Sequence, residues 1–457
     1  MPNVVIKNGL VYTPGGWLRG GLAMEDGRIS HVGYDNALPD GDSIIDAEGN
    51  YVLPGIIDPH GIFGRVDWEP TARTESIHAA VNGVTTIITY VQMGDLTASK
   101  RLPVHREARE LCETHSFVDF KFNAAIGTDE QIEEIPELVR DGVHSFNFWM
   151  NLSKVECEQY GFPSLDWAFL YRAMEKIAES GPPAFASVHT EEPEIIHMLY
   201  QRAKREGAQD LATWAATRPS FAEGAQAFTA GLIALETGVP LSLVHISAPE
   251  SMEAVKYLRS KGGRVTSETC PQYLTLSPTD DLGLLGKQMP PLRDKTYQEA
   301  LWKGVADGTI NMIASDHQIA RRKDKEVPGG LWGDGTDQSG SGGGIMGAIA
   351  PIMLSEGVNK NRITMEDFVK VCSENAAKLY SIYPQKGALS PGSDADVIIV
   401  DPKREWTMSV ESLKSSSDYC LWDGMTVNGK VIKTYVRGEL VADDGELVAD
   451  TPSGRYV

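Results

Sequence analysis

LSLVHISAPESMEAVKYLRSKGG, residues 241–263, is the part of the sequence from which the fold is most easily inferred. It begins with an apolar run, LSLVHISA (241–248), which is typical of a buried β-strand. It continues with SMEAVKYLRSKGG (251–263), in which apolar residues recur at helical spacing. A further strand-like run, RVTSETCPQ (264–272), follows at once. A strand, a helix and a second strand in this order predict two parallel strands joined by a helical crossover.

The same alternation recurs through the middle of the chain. Helical patterns such as LDWAFLYRAMEKIAES (165–180) and GAQAFTAGLIALETG (224–238) separate short apolar runs. The other candidate strands are TTIITYVQ (85–92), FKFNAAIG (120–127), SFNFWMN (145–151), AFASVHTEE (184–192) and NMIASDHQ (311–318). About eight such repeats predict the α/β class and a (β/α)8 TIM-like barrel over residues 54–384, with the chemistry at the carboxyl ends of its strands.

Both ends of the chain have a different residue pattern. VVIKNGLVYT (4–13) and TVNGKVIKTYVRGELVADDGELV (426–448) consist of apolar and polar residues in alternation, interrupted by Gly, Asn and Asp. We therefore predict that residues 1–53 and 385–457 pair into one small β-sandwich domain formed by both termini.

The composition excludes several classes of protein. Lys and Arg total 42 against 63 Asp and Glu, a net charge of -21, which argues against nucleic-acid partners and anionic membrane surfaces. Five cysteines without a CxxC pair form neither a disulfide framework nor a thiolate zinc site. No secretory signal and no apolar stretch of roughly 18 residues is visible, so a cytoplasmic location is expected.

Polar residues stand where four of the apolar runs stop. His60 ends VLPGIIDPH (52–60), His189 and His245 end two later runs, and Asp316 follows NMIAS. Each alone is more often an ordinary hydrogen-bonded residue of the core or of a strand edge. Four at four strand ends instead favour convergence at one mouth of the barrel, where imidazoles and a carboxylate suit Zn²⁺, Mn²⁺ or a similar cation.

The Gly-, Asp- and Ser-rich segment 320–345 directly follows the last candidate strand. It is either a surface loop or a lid over the mouth, and its position favours the lid.

Several motifs carry a resemblance to a known family. ETCPQYL (268–274), PPLR (290–293) and ASDH (314–317), with matching segments from about residue 3 to the end of the sequence, resemble the dihydropyrimidinase/hydantoinase group of the amidohydrolase superfamily. The resemblance implies a metal-dependent hydrolase that opens a cyclic amide, imide or ureide, a barrel with a β-sandwich from both termini, and a homo-oligomer, either a tetramer or a dimer.

The family's metal ligands can be transferred residue by residue. The resemblance implies His60, His189, His245 and Asp316 as ligands, with Asp316 also acting as the catalytic proton shuttle. A single Zn²⁺ is the expected cofactor, with Mn²⁺ or Co²⁺ as alternatives.

The chain departs from the family pattern at three places. Ile62 stands where the family has the second histidine of its His-x-His motif. Asn147 stands in place of the carboxylated bridging lysine, and Leu152 in place of the substrate-binding tyrosine. An amide cannot be carbamylated, and two adjacent cations without a bridge repel one another. We therefore expect one metal ion rather than two.

Four residues are candidates for substrate binding. Asn147, Asn151 and Leu152 follow the fourth strand and are expected to line a reshaped pocket. Arg65 either binds a substrate carboxylate, as an arginine does in related dihydroorotases, or forms a surface salt bridge.

Two functions from different classes remain open. One is the hydrolase, in which the metal activates water and Asp316 moves a proton to the leaving nitrogen. The other is a non-catalytic assembly protein that has lost its binuclear centre, as some relatives of dihydropyrimidinases have. Other amidohydrolase chemistry, such as deamination, hydrolysis of a non-ring amide or carbamate, or decarboxylation, is a third alternative.

Overall fold

The computed structural model describes residues 3–62, 68–91, 96–163, 165–333, 341–343 and 345–457. Its strands, in chain order, are β1 (Val4–Thr13), β2 (Gly16–Glu25), β3 (Arg28–Gly33), β4 (Ser43–Asp46), β5 (Tyr51–Pro54), β6 (Ile56–Ile62), β7 (Val84–Tyr90), β8 (Asp119–Ala125), β9 (Ser145–Trp149), β10 (Phe185–His189), β11 (Leu241–Leu243), β12 (Val265–Thr269), β13 (Met312–Ile313), β14 (His317–Gln318), β15 (Val397–Thr407), β16 (Thr426–Val436), β17 (Glu439–Asp443) and β18 (Glu446–Leu447).

The α-helices surround the middle strands and also cap the ends of the barrel. They are α1 (Trp68–Val81), α2 (Leu102–His115), α3 (Asp129–Arg140), α4 (Lys154–Tyr160), α5 (Trp167–Ser180), α6 (Pro193–Glu206), α7 (Leu211–Thr217), α8 (Ser220–Thr237), α9 (Pro249–Ser260), α10 (Pro271–Thr275), α11 (Lys295–Ala306), α12 (Arg322–Lys325), α13 (Ile349–Ile352), α14 (Met365–Val369), α15 (Asn375–Leu379) and α16 (Val410–Leu413). Within the described residues, no helix is long and apolar enough to cross a membrane.

Local sequence explains where individual elements begin and end. All seven residues of β7 are buried, because a parallel barrel strand is covered by helices outside and by side chains inside. Helix α5 begins after Asp166, whose carboxylate accepts the backbone N–H of Phe169 at 2.9 Å, and ends at Gly181 with φ 70°. Such caps satisfy backbone groups that the helix itself leaves unpaired.

The middle strands form the expected barrel. Strands β6 to β12 pair in parallel with their neighbours in chain order. The eighth barrel strand consists of two short pieces: β13 pairs with β12, and β14 pairs with β6 through His317 and Gly61, which closes the sheet. Asp316 stands near the break between the two pieces with φ 51°, a left-handed conformation that interrupts a strand.

The two ends of the chain share one mixed sheet, in the order β18-β17-β16-β15-β5-β1-β2-β3 with β4 on β1. The two ends meet where β15 pairs antiparallel with β5, Val397 opposite Pro54. The fold class predicted from the sequence is therefore confirmed: an α/β barrel of eight parallel strand positions, with an added sheet built from both termini.

A buried ionic cluster joins the barrel to this sheet. Lys386 Nζ lies 2.7 Å from Asp396 Oδ2 and 3.1 Å from Asp394 Oδ2, and it also contacts Asp119 at the start of β8. The lysine and Asp119 are almost wholly buried, and Arg437 adds a second cation beside Asp119, so opposite charges offset one another in a region that water does not reach.

Candidate active site

His60 lies near the end of β6 in an orientation that Glu268 determines. The Nδ1 atom of His60 donates to Oε1 of Glu268, which lies on β12, at 2.6 Å. The Nε2 atom therefore faces the other way, 3.3 Å from Oδ1 of Asp316. Burial lowers the pKa of His60, but the Glu268 and Asp316 carboxylates outweigh it and raise that pKa above its ordinary value. The carboxylates of Glu268 and Asp316 thus make the surroundings of His60 favourable for a positive charge.

His189, the last residue of β10, is oriented by a second carboxylate. Its Nε2 atom lies 3.0 Å from Oε2 of Glu191, so Nδ1 is the nitrogen left for another ligand. Glu191 also accepts from Nη1 of the fully buried Arg218 at 2.8 Å. Although burial raises the pKa of Glu191, Arg218 and His189 outweigh it and lower that pKa to about 2.

His245 follows β11 and lies between the other two imidazoles. Its ring centroid is 4.3 Å from that of His189 and 5.3 Å from that of His60. Burial, with the two neighbouring imidazoles, lowers the pKa of His245 well below its ordinary value. Its φ of 37° is a strained value for a residue other than glycine, and such strain is concentrated at functional sites.

Asp316 completes the group from the eighth strand. Burial raises its pKa to about 6. Its neighbour Ser315 donates its backbone N–H to Oδ1 of Asp58 at 3.1 Å, and the same oxygen accepts the backbone N–H of His60 at 3.2 Å. Asp58 therefore connects the first and eighth strands directly behind His60 and Asp316.

The structure brings the four residues expected to bind metal to one end of the barrel. The donor set is three imidazoles and one carboxylate, and two of the rings are held by carboxylates that fix which nitrogen is available. Carboxylate–histidine pairs of this kind orient the ligands of metal sites. This arrangement fits a divalent cation.

Three of the four residues expected to bind substrate are described, and all three are buried on or just after β9. Asn147 is buried on β9, and its Oδ1 accepts from Ser187 Oγ at 3.1 Å. Asn151 and Leu152 follow β9 and are also buried. Arg65, and the side chain of Ile62, lie outside the described residues.

The segment expected to form a lid contacts other loops that follow barrel strands, where it is described. Lys325, on α12, donates to the backbone carbonyl of Lys287 at 2.8 Å and also to that of Gly342. It thereby joins the loop after β12 to the loop after β14. Burial and the nearby Lys287 charge lower the pKa of Lys325 to about 7. Residues 334–340 and 344 of the segment are not described.

A second buried group of metal-binding residue types consists of Glu75, His78 and His317. Its members are already engaged: His317 Nε2 lies 2.6 Å from Glu75 Oε2, and His78 Nδ1 donates to the carbonyl of Leu413 at 2.6 Å. The other nitrogen of His78 accepts the backbone N–H of Gly347 at 3.0 Å. Because both nitrogens of His78 are used, the group is a hydrogen-bond network rather than a second metal site.

Glu268, Glu191 and Asp58 were missed in the sequence. Glu191 lies two residues after His189, just beyond the end of β10, and Asp58 lies two residues before His60, on the same face of β6. Glu268 lies within the quoted motif ETCPQYL, but its partner is on another strand. A carboxylate two residues from His60 and another two residues from His189 were the available signal.

Comparison with known proteins identifies the family of the chain. A model of the amidohydrolase family matches residues 51–441. D-hydantoinase of Geobacillus stearothermophilus is 33% identical over 99% of this chain and 96% of its own length. L-hydantoinase of Paenarthrobacter aurescens is 31% identical over 100% of this chain and 98% of its own length.

Solved structures give the same result. The crystal structure of dihydropyrimidinase from Brevibacillus agri has a TM-score of 0.88 at 29% identity, covering 100% of this chain and 98% of that one. The L-hydantoinase (dihydropyrimidinase) from Arthrobacter aurescens also has a TM-score of 0.88, at 30% identity, covering 100% of this chain and 99% of that one. The chain therefore belongs to the amidohydrolase family, and within it to the dihydropyrimidinase/hydantoinase group of hydrolases.

Proposed function

We propose that this chain hydrolyses a C–N bond of a cyclic amide, imide or ureide, with one divalent metal ion held by His60, His189, His245 and Asp316. The observation that carries the proposal is the convergence of these residues, with Glu268 orienting His60. Four ligands, or three with an open position, are sufficient for one catalytic cation.

The residues beside these ligands support one metal rather than two. Asn147 is an amide, so it cannot be carbamylated to a bridging anion, and its Oδ1 is occupied by Ser187. Ile62 has no donor atom. Without these two groups, a second cation would face the first with too little negative charge between them.

The chain's own residues have separate tasks in the reaction. A bound divalent cation would supply Lewis acidity, which polarises the ring carbonyl and makes water more acidic. Asp316 accepts a proton as the oxygen of water bonds to the carbonyl carbon, and it returns a proton to the ring nitrogen as the C–N bond breaks. Hydrolysis then leaves a carboxylate together with an amine from a cyclic amide, an amide from an imide, or a ureido group from a cyclic ureide. Glu268 and Glu191 hold His60 and His189 in place throughout.

The test combines metal analysis with a panel of rings. The chain is loaded with Zn²⁺, Mn²⁺ or Co²⁺, and the bound metal is counted by elemental analysis for the wild type, His189→Ala and the exposed control His31→Ala. About one equivalent per chain in the wild type and the control, with loss in His189→Ala, is the expected result. Hydantoins, dihydrouracils, cyclic imides and lactams are then assayed for ring opening.

Two results would contradict the proposal in different ways. About two equivalents of metal per chain would refute the single-metal site but leave the hydrolase intact. No metal above background, together with no opened ring, would refute the hydrolase and favour the assembly protein. Gel filtration with light scattering tests the accompanying expectation of a tetramer or a dimer.

A further inference from the structure

Asn151 is a buried amide with almost no hydrogen bonding. Only 3% of the residue is exposed. Its Nδ2 is directed at the thioether sulfur of Met289, 3.9 Å away, which is a weak acceptor. Its Oδ1 has no hydrogen-bond partner among the described residues. Buried polar atoms are normally paired, so an unpaired buried amide is unusual outside a binding site.

The contact with Met289 shows where this amide lies. Asn151 follows β9, and Met289 lies between β12 and α11. The strands β10 and β11 separate β9 from β12 in the closed sheet, so the two residues start from distant parts of the barrel rim. Both loops leave the carboxyl ends of parallel strands, so the contact lies at that end of the barrel. The Asn151 amide is therefore buried at the same end of the barrel as His60 and Asp316.

The side chains beside it offer no alternative acceptor. Leu152 is apolar and buried, and the Oδ1 atom of Asn147 is already engaged by Ser187. Between β9 and α4, residues 150–153, Asn151 is thus the polar side chain with a buried atom that has no hydrogen-bond partner among the described residues.

We propose that Asn151 binds the cis-amide edge of the substrate ring, donating Nδ2–H to a ring carbonyl and accepting a ring N–H at Oδ1. A ring of this size holds its amide cis, so the C=O and N–H point to the same side. The primary amide of asparagine presents the complementary donor and acceptor, and two parallel hydrogen bonds can form.

This inference rests on the proposed function and narrows it. The carbonyl being hydrolysed belongs at the metal, so the edge bound by Asn151 is a second one, with its own C=O beside an N–H. The substrate class is then a cyclic ureide or imide rather than a simple lactam, which has one carbonyl only.

The test compares a cyclic ureide with its derivatives methylated at each ring nitrogen. In the wild type, methylation of the nitrogen facing Asn151 should lower kcat/KM by about 10- to 100-fold, because Oδ1 then loses its donor. Asn151→Leu, which keeps the bulk but cannot hydrogen-bond, should lower kcat/KM for the parent ring by a similar factor. For this variant, methylation of the ring nitrogen should cause little further loss of kcat/KM.

Two further variants make the result specific. Asn151→Asp keeps an acceptor but loses the donor, so its preference for the free N–H should survive while its kcat/KM for the parent ring falls. The exposed Asn36→Ala should match the wild type throughout. Metal content is measured for every variant to show that the site remains assembled.

The outcomes separate this inference from the proposed function. If the wild type opens rings but Asn151→Leu retains the discrimination between parent and methylated rings, the role of Asn151 is refuted and the hydrolase stands. Equal kcat/KM for lactams and ureides would also refute it. If the wild type holds no metal and opens no ring, the proposed function fails, and this inference fails with it.

Discussion

Oε1 of Glu268 accepts a 2.6 Å hydrogen bond from Nδ1 of His60, so a residue of the seventh barrel strand orients an imidazole of the first. Because these strands are not neighbours in the sheet, the bond spans the interior of the barrel mouth. Which nitrogen of His60 remains available therefore depends on the closed barrel, because Glu268 reaches His60 only when the seventh strand is in place.

Replacing Glu268 with Gln should weaken metal binding by about 10- to 100-fold, since the amide is a poorer acceptor and does not enforce the same ring orientation. Competition with a chromophoric chelator gives the affinity directly. The exposed Glu253→Gln on α9 carries the same change of charge far from the mouth and should bind metal like the wild type. Equal affinities for the two variants would exclude a positioning role for Glu268.

Lys325→Met should raise KM for the ring by about 10-fold while changing kcat less. The substitution removes the hydrogen bonds that join the Lys287 and Gly342 carbonyls, so the two loops beside the mouth lose their common anchor. Steady-state kinetics over a range of ring concentrations separates the two parameters. Lys325→Arg retains a donor and should recover part of the loss, whereas an effect on kcat alone would contradict this role.

Lys386→Met should lower the free energy of unfolding by about 3–5 kcal/mol, because it leaves the buried Asp119, Asp394 and Asp396 without their shared cation. Urea unfolding followed by circular dichroism measures the change. Lys378→Met is a suitable control, since that lysine is half exposed and pairs with one glutamate on the same helix. Similar losses in both variants would mean that the cluster stabilises the protein no more than a surface pair.

His105→Leu should stabilise the protein, and more so at acid pH. Both ring nitrogens of His105 are buried and have no hydrogen-bond partner among the described residues. Burial, with Arg101 and Arg109 nearby, lowers the pKa of His105 to about 3. As the pH falls below the ordinary histidine pKa of about 6.5, His105 is protonated in the unfolded chain but stays neutral in the folded protein. Protonation therefore favours the unfolded state, and the wild type loses stability.

The leucine variant avoids this loss, and its advantage should grow by about 2 kcal/mol between pH 6.5 and pH 5. Urea titrations at both pH values measure it. The exposed His31→Leu should show no such growth, because its ring is solvated in both states. An advantage of His105→Leu that does not change with pH would contradict the argument.

Features of the site that depend on neighbouring residues in the sequence could be predicted, whereas contacts between residues far apart in the sequence could not. His60, His189, His245 and Asp316 were identifiable because each ends a local apolar run, and a barrel brings all its strand ends to one face. The partners of these residues were not, since the pairing of His60 with Glu268 is fixed only when the barrel closes.

The same limit applies to the remaining candidate residues. That Asn147 would be engaged by Ser187, while Asn151 reaches toward Met289, follows from side-chain directions that no linear pattern contains. The roles of Asn147, Asn151 and Leu152 therefore stay predictions, as does that of Arg65, which lies outside the described residues.

The pairing of β5 with β15 has a consequence for how the protein is made. During synthesis β5 leaves the ribosome early, but the strand that covers its edge emerges only after the whole barrel has been translated. Until then the nascent chain presents an open edge able to pair with other chains. Closure of the terminal sheet must bring together segments far apart in sequence, which makes it a slow step of refolding. Recovery of folded protein should therefore depend more on dilution and chaperones than on the stability of the finished barrel.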